Sequence, residues 1–302
     1  MPTSSEQITD HATALAWSLW TELGVSGWLR SHSSHAIDPE RLILFTASLG
    51  DTDPRLRDEA TDWCITYGRY VSVTRLRNLL AAESPEVQAA FGQTAATVNA
   101  NSGLRWPGAT QARPFQRTRR SAVADFGAPS LVVMRLRALF GVGARAEIVR
   151  AFLADPPARL SAADVAADAG YTKRNIAEAL EALPMAGLLE THALRNQRLY
   201  GLADAGWLTT LPGGLPSSYP AWSNVFRLLE GLMAALRRAE TLTGRARNVA
   251  ASDVLRDLRS DLRRVGVRLS EAEQGPEAWT TLQRLAVDLS REWASGSFAS
   301  AA

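Results

Sequence analysis

Ser161 to Leu183 reads SAADVAADAGYTKRNIAEALEAL, and its spacing predicts two short helices that cross at a tight turn. Ser161 is an N-cap type whose hydroxyl accepts from the amides of the first turn, and Asp164 places negative charge at the positive end of the helix dipole. Gly170 ends the first helix, since a glycine enters the left-handed region without a Cβ clash. Thr172 then caps a second helix opening with Lys173, Arg174 and Asn175. Closely crossing helices need a small side chain on the first, a glycine at the turn and a branched apolar residue on the second. Ala166, Gly170 and Ile176 stand at those places, four and then six residues apart, and Leu180 and Leu183 continue the inward face. Lys173 is the only lysine in the chain.

The flanks extend this unit. Downstream, GLLETHALRNQRLYGLADAG alternates roughly at Leu189/Thr191 and Leu199/Gly201 around the polar tip Arg195-Asn196-Gln197-Arg198, which predicts a β-hairpin. Upstream, SLVVMRLRALFGVGARAEIVRAFLAD carries Leu139, Ile148, Phe152 and Leu153, an apolar series suited to a helix packed behind the pair and ended by Asp155-Pro156-Pro157.

A helix pair followed by a hairpin resembles the bacterial winged helix-turn-helix transcription regulators. The likeness rests on the alanine, the Gly-x-Ser/Thr turn, the apolar anchor and the pattern x-L-x-x-x-G-L-L/V, here ALPMAGLLE, and it covers about residues 135 to 205. It implies that the second helix enters a DNA major groove with Lys173, Arg174, Asn175 and Glu178, and that Arg195 and Arg198 touch the backbone or minor groove. The candidate DNA-contact set is thus Ser161, Thr172, Lys173, Arg174, Asn175 and Glu178 on the helices with Arg195, Asn196, Gln197 and Arg198 on the wing. Pro184 departs from the pattern, because it removes a backbone donor near the end of the reading helix and should kink or stop it. Glu178 and Glu181 put negative charge on the same helix and favour a protein-contacting use.

Composition sets the frame for the rest. The 302 residues are 46% hydrophobic and 21% charged, enough for two or three ordinary cores and too apolar for disorder. No run reaches the roughly 18 to 20 apolar residues of a membrane span, and MPTSSEQITDHATA lacks the basic and apolar parts of a leader, so a cytoplasmic protein is expected. Cys64 is the single cysteine, which excludes an internal disulfide; inside DWCITYG it reads as a small buried hydrophobe. A net charge of +2 does not itself announce a nucleic acid. Asn101 to Arg120, however, holds Arg105, Arg113, Arg117, Arg119 and Arg120 with no acid, a basic connector suited to lie along phosphates or simply to be solvated.

Four regions follow. Residues 1–100 predict a helical domain from DHATALAWSLWTELG, IDPERLILFTASLG, DTDPRLRDEATDWCITYG, VTRLRNLLAA behind Ser72, and PEVQAAFGQTAATVNA. Its Trp17, Trp20, Trp28 and Trp63 suggest an aromatic core that binds a protein or small-molecule partner. Residues 101–130 form the basic linker and 131–210 the winged helix-turn-helix. LPGGLPSSYP marks a boundary before 211–302, where Val225/Leu229/Leu232/Leu236, Leu255/Leu258/Leu262/Val265 and Trp279/Leu282/Ala286/Leu289/Trp293 make three narrow seams, expected to join two chains.

Other chemistry is set aside. His32 and His35 lack further ligands nearby and read as loop surface; FGVGARAE lacks a P-loop ending; Asp51, Asp53, Asp58, Glu59 and Asp62 read as caps and a solvated helix face. YGRYVSVTRLRNLL clusters Arg69, Arg75 and Arg77 near the Ser72 cap, but its Gly68-to-Leu76 spacing is eight rather than six. The expectation is therefore a mainly α protein, a sequence-specific double-stranded DNA-binding regulator acting as a homodimer, with no enzyme activity, cofactor or metal. A non-enzymatic adaptor or antitoxin-like subunit is the alternative.

Overall fold

Asp38, Asp53, Ser72 and Ser84 each place a side-chain oxygen on the backbone N–H three residues along, and each begins a helix. These are α2 (Pro39–Leu49), α3 (Pro54–Tyr67), α4 (Val73–Leu80) and α5 (Pro85–Asn101). The first helix, α1 (Ser4–Glu22), starts earlier than the apolar pattern alone predicts, because Thr3 and Glu6 form a reciprocal capping box. The computed structural model describes residues 2–123, 126–194, 196–204, 206 and 213–298. It is mainly helical with one small three-stranded antiparallel sheet.

The centre holds α6 (Val132–Phe140), α7 (Ala144–Ala154), β1 (Leu160–Ser161), α8 (Ala162–Ala169), α9 (Lys173–Met185), β2 (Leu189–Leu194) and β3 (Gln197–Leu202). The expected single helix behind the pair is two helices, broken at Gly141-Val142-Gly143, and Leu139 is 58% exposed rather than packed inward. Ile148, Phe152, Val165, Ile176, Leu180, Leu183, Leu189 and Tyr200 build a second core, joined by Ala36 and flanked by Leu215 and Tyr219. The sheet has the order β1-β3-β2, with Leu160 opposite Tyr200 and Leu189 opposite Leu202. Gln197 and Arg198, expected at the tip, already belong to β3, and Gln197 pairs with Leu194.

The C-terminal helices are α10 (Trp222–Glu240), α11 (Gly244–Asp257), α12 (Arg259–Arg264), α13 (Glu271–Gln274) and α14 (Ala278–Ala294). Their seams do not face outward as an association surface. Leu229, Leu232, Leu236, Leu255, Leu262, Leu282 and Ala286 lie in one buried cluster with Ile8, Leu15, Leu19, Phe45 and Trp63 of the N-terminal helices. Phe45 and Phe226 stack with centroids 4.3 Å apart, Trp222 Nε1 donates to the Ala36 carbonyl at 2.6 Å, and α1 lies along α14 with His11 Nδ1 2.8 Å from Ser290 Oγ. An amphipathic helix buries its stripe wherever a complementary stripe is at hand, and here α1 supplies it within the same chain. The stretches 1–100 and 211–302, expected as separate regions, thus share one core, with the central module between them in sequence.

Candidate nucleic-acid interface

The helix pair is capped at each end as its residues require. Ser161 Oγ accepts from the Asp164 amide while the Asp164 carboxylate accepts from the Ser161 amide at 2.9 Å, so Ser161 is committed to holding α8. Gly170 closes α8 in the left-handed region at φ 69°. A Cβ there would lie 2.8 Å from Leu79 Cδ2 of α4, so a side chain at the turn would also have to displace that methyl. Thr172 Oγ1 accepts from the Asn175 amide at 3.3 Å, and the same hydroxyl meets Asn175 Oδ1.

Ile176, Leu180 and Leu183 bury one face of α9. Thr172, Lys173, Arg174, Asn175, Glu178 and Glu181 are exposed on the others. The Lys173 ammonium and Arg174 guanidinium make no ion pair or hydrogen bond among the described residues. Pro184 lies inside the last turn, and α9 stops one residue after it. On the hairpin, Asn196, Gln197 and Arg198 are exposed; Arg195 lies outside the described residues. Asn175 and Glu178 also border an open cleft with Phe140, Val142 and Arg145, beside the break between α6 and α7.

The turn between α8 and α9 is docked on the N-terminal body. Arg75 Nε of α4 donates to the Ala169 carbonyl at 2.7 Å, Asn78 Nδ2 to the Gly170 carbonyl at 3.2 Å, and Tyr171 Oη lies 2.5 Å from Ser72 Oγ. The two carbonyls are the unsatisfied end of α8, where cationic and N–H donors are favoured. Beneath them runs a buried chain of charges. Arg75 holds Asp38 through both terminal nitrogens at 2.5 Å and reaches Glu40 at 2.7 Å. Glu40 takes two bonds from Arg137 of α6 at 2.8 Å, and Arg137 meets Glu147 of α7 at 2.7 Å. Arg150 links Glu147, at 3.1 Å, to Asp168 of α8.

Burial by itself pushes the Asp38 carboxyl up, but the Arg75 guanidinium outweighs it and holds the acid well below its ordinary range. Glu147 is lowered likewise, with burial opposed by Arg75, Arg137 and Arg150. Arg75 is therefore not a base reader on a second helix-turn-helix; its side chain is fully buried in this network. These residues position α9, and the spacing of the helix pair gave no sign of them.

Three further expectations are corrected. The basic connector does not run free: Arg113 pairs with Asp58 at 2.8 Å, Arg117 Nε donates to Asp62 Oδ1 at 3.3 Å, and the Arg119 amide donates to Asp62 Oδ2 at 2.8 Å. Asp62 and Glu59 are accordingly buried, not a solvated face, while Arg105, Arg119 and Arg120 keep exposed side chains. His32 and His35 are buried too, His32 between Ser18 Oγ at 2.7 Å and the Trp293 carbonyl at 2.8 Å. Among the described residues no three His, Cys, Asp or Glu side chains gather to hold a metal. No helix among them is long and apolar enough to cross a membrane.

The tryptophans divide. Trp20 and Trp63 pack edge to face in the core, 5.3 Å apart, whereas Trp28 is 86% exposed beside a groove bordered by Trp17, Asp53 and Arg55. Comparison with protein-family models, with curated proteins and with solved structures finds no match to this chain.

Proposed function

We propose that the central module binds double-stranded DNA as a transcription regulator of the winged helix-turn-helix type, with the start of α9 in the major groove and the β2–β3 hairpin against the backbone. The observation that carries this reading is the outward display of Lys173, Arg174 and Asn175 on the first turn of a helix whose opposite face is locked into a core. Lys173 and Arg174 are free of internal acids and so are available to phosphates or guanine edges; the Asn175 amide can pair with adenine. Arg198 on β3 supplies a backbone contact. The seams expected to make a homodimer are consumed inside the chain, so the reading rests on one recognition helix per molecule.

A second reading, an adaptor that contacts protein, is favoured by Glu178 and Glu181 on α9 and by apolar exposure on the same module, with Met185 90% and Leu139 58% exposed. Fluorescence anisotropy of a mixed-sequence duplex against salt separates the two. The DNA reading expects log affinity to fall linearly with log salt, with Arg198→Ala flattening the slope by about one and Asn175→Ala weakening sequence preference instead. Absence of salt-dependent binding at low ionic strength gives the adaptor.

A further inference from the structure

Three arginines border one cavity on the C-terminal helices. Arg259, Arg263 and Arg268 border a space of about 460 Å3 whose remaining lining is Leu262, Val267 and Leu269. Arg259 and Arg263 stand four residues apart on α12 and so project from one side of it. The chain then reverses at Gly266, where the Val267 amide donates back to the Leu262 carbonyl at 2.9 Å, and this return brings Arg268 to the same opening.

No acid among the described residues lines this space, and two of the nearby ones are paired elsewhere. Asp261 is 3.0 Å from Arg264 and 3.8 Å from Arg227, and Asp253 pairs with Arg256 at 3.0 Å. Among the described residues no ion pair, hydrogen bond or ring contact engages the guanidinium groups of Arg259, Arg263 or Arg268. A neighbouring cavity gives the contrast, since its Arg238 and Arg245 are accompanied by Asp253 and Asp257 in the same lining. Three like charges around an apolar floor repel one another until an anion enters, and a guanidinium fork matches two oxygens of a phosphate or carboxylate.

We propose that this cavity binds a small organic anion, its oxyanion head held by Arg259, Arg263 and Arg268 and its apolar body lying over Leu262, Val267 and Leu269. The cavity is within the size range of small-ligand pockets. The proposal is independent of the DNA reading, since it uses no residue of the central module.

Isothermal titration calorimetry on the full chain tests it with 1-naphthyl phosphate, 1-naphthoate, 1-naphthol and inorganic phosphate. Both naphthyl anions should bind, 1-naphthol should not, and inorganic phosphate should bind more weakly for want of the apolar body. The tighter of the two anions identifies the head group. Arg263→Ala and Arg268→Ala should each weaken binding by roughly tenfold, and added salt should weaken it further. Because these side chains are exposed, the ligand-free melting temperature should not fall. The proposal is overturned if neither anion binds at millimolar concentration, or if both variants bind as wild type does. It is equally overturned if neither anion binds and Arg263→Ala reduces duplex affinity as much as Lys173→Ala, which makes the patch part of a nucleic-acid footprint.

Discussion

Arg75 and Ala169, 94 residues apart in sequence, meet at 2.7 Å: the guanidinium Nε of α4 donates to the last carbonyl of α8. The same side chain holds Asp38 and Glu40, so one buried cation ties the N-terminal body to the turn that aims α9. Substituting Arg75 by Ala strips the partly buried Asp38 of its guanidinium and leaves the buried Glu40 with Arg137 alone, and about 3 to 5 kcal/mol of stability should be lost. Arg75→Lys, a point charge without the fork, should recover only part of that. Guanidinium unfolding midpoints measure both, and a loss below about 1 kcal/mol for Arg75→Ala would show that the network is not coupled to folding.

Thr172 is expected to act on stability through its hydroxyl. Thr172→Ala removes the cap on the Asn175 amide and should cost about 1 kcal/mol, whereas Thr172→Ser should be nearly neutral. Thermal melts of the two variants give the comparison, and equal melting temperatures would remove the cap as a stabilising contact.

Acid sensitivity should have a specific origin. Burial, with a smaller push from His35, holds the His32 imidazole at about 4 against an ordinary 6.5, despite its bond to the Trp293 carbonyl. Between those values the unfolded chain takes a proton that the folded chain refuses. Stability is therefore intact above 6.5 and falls on acidification, by roughly 1.4 kcal/mol per pH unit within the window. His11 and His35, also lowered by burial, act in the same direction. Glu22, Glu83 and Glu230 oppose them, each raised by burial; Glu230 is pushed up to about 7, so its contribution is present at low pH and lost as pH rises towards 7. In Glu230→Gln the largest opposing slope is removed, and urea midpoints should hold from pH 7.5 to 6.5 and fall from there to 5. A profile that stays flat below 6.5 in that variant would show that the histidines do not dominate the acid response.

Cys64 should be chemically silent in the folded protein. It is buried in α3, and burial pushes its thiol well above the ordinary range. Reaction with an aromatic disulfide reagent should track unfolding and become fast only in denaturant. Prompt labelling of the native chain would contradict the packing of α3.

Ending the chain at residue 219 should unfold the N-terminal helices and leave oligomeric state beside the point. Ile8, Leu15 and Leu19 of α1 lose their cover when α10 and α14 are removed. The shortened chain should aggregate or melt without cooperativity by circular dichroism; a sharp melt at the wild-type temperature would refute the shared core.

Much of the architecture is legible in local chemistry. Asp38-Pro39, Asp53-Pro54, Ser72 and Ser84-Pro85 mark helix starts directly, and the spacing of Ala166, Gly170 and Ile176 marks the helix pair. The hairpin is legible from its alternation, but β1 is only two residues long and pairs with a partner far along the chain, so no periodicity reports it. What local pattern does not carry is which surface meets which. A seam on α10 reads the same whether another molecule or α1 covers it, and Arg113 and Arg117 read as free until α3 supplies Asp58 and Asp62. Arg137, set inside the apolar run LVVMRLRALF, was the available clue to the buried charges, because a cation among such residues needs an acid brought to it.

The pairing of α1 with α14 also orders events during synthesis. The ribosome releases α1 hundreds of residues before α14, so the part of its apolar stripe that α14 covers waits exposed while the central module, whose contacts are nearer in sequence, gains its own core. Completion of the larger body is thus timed by the emergence of α14.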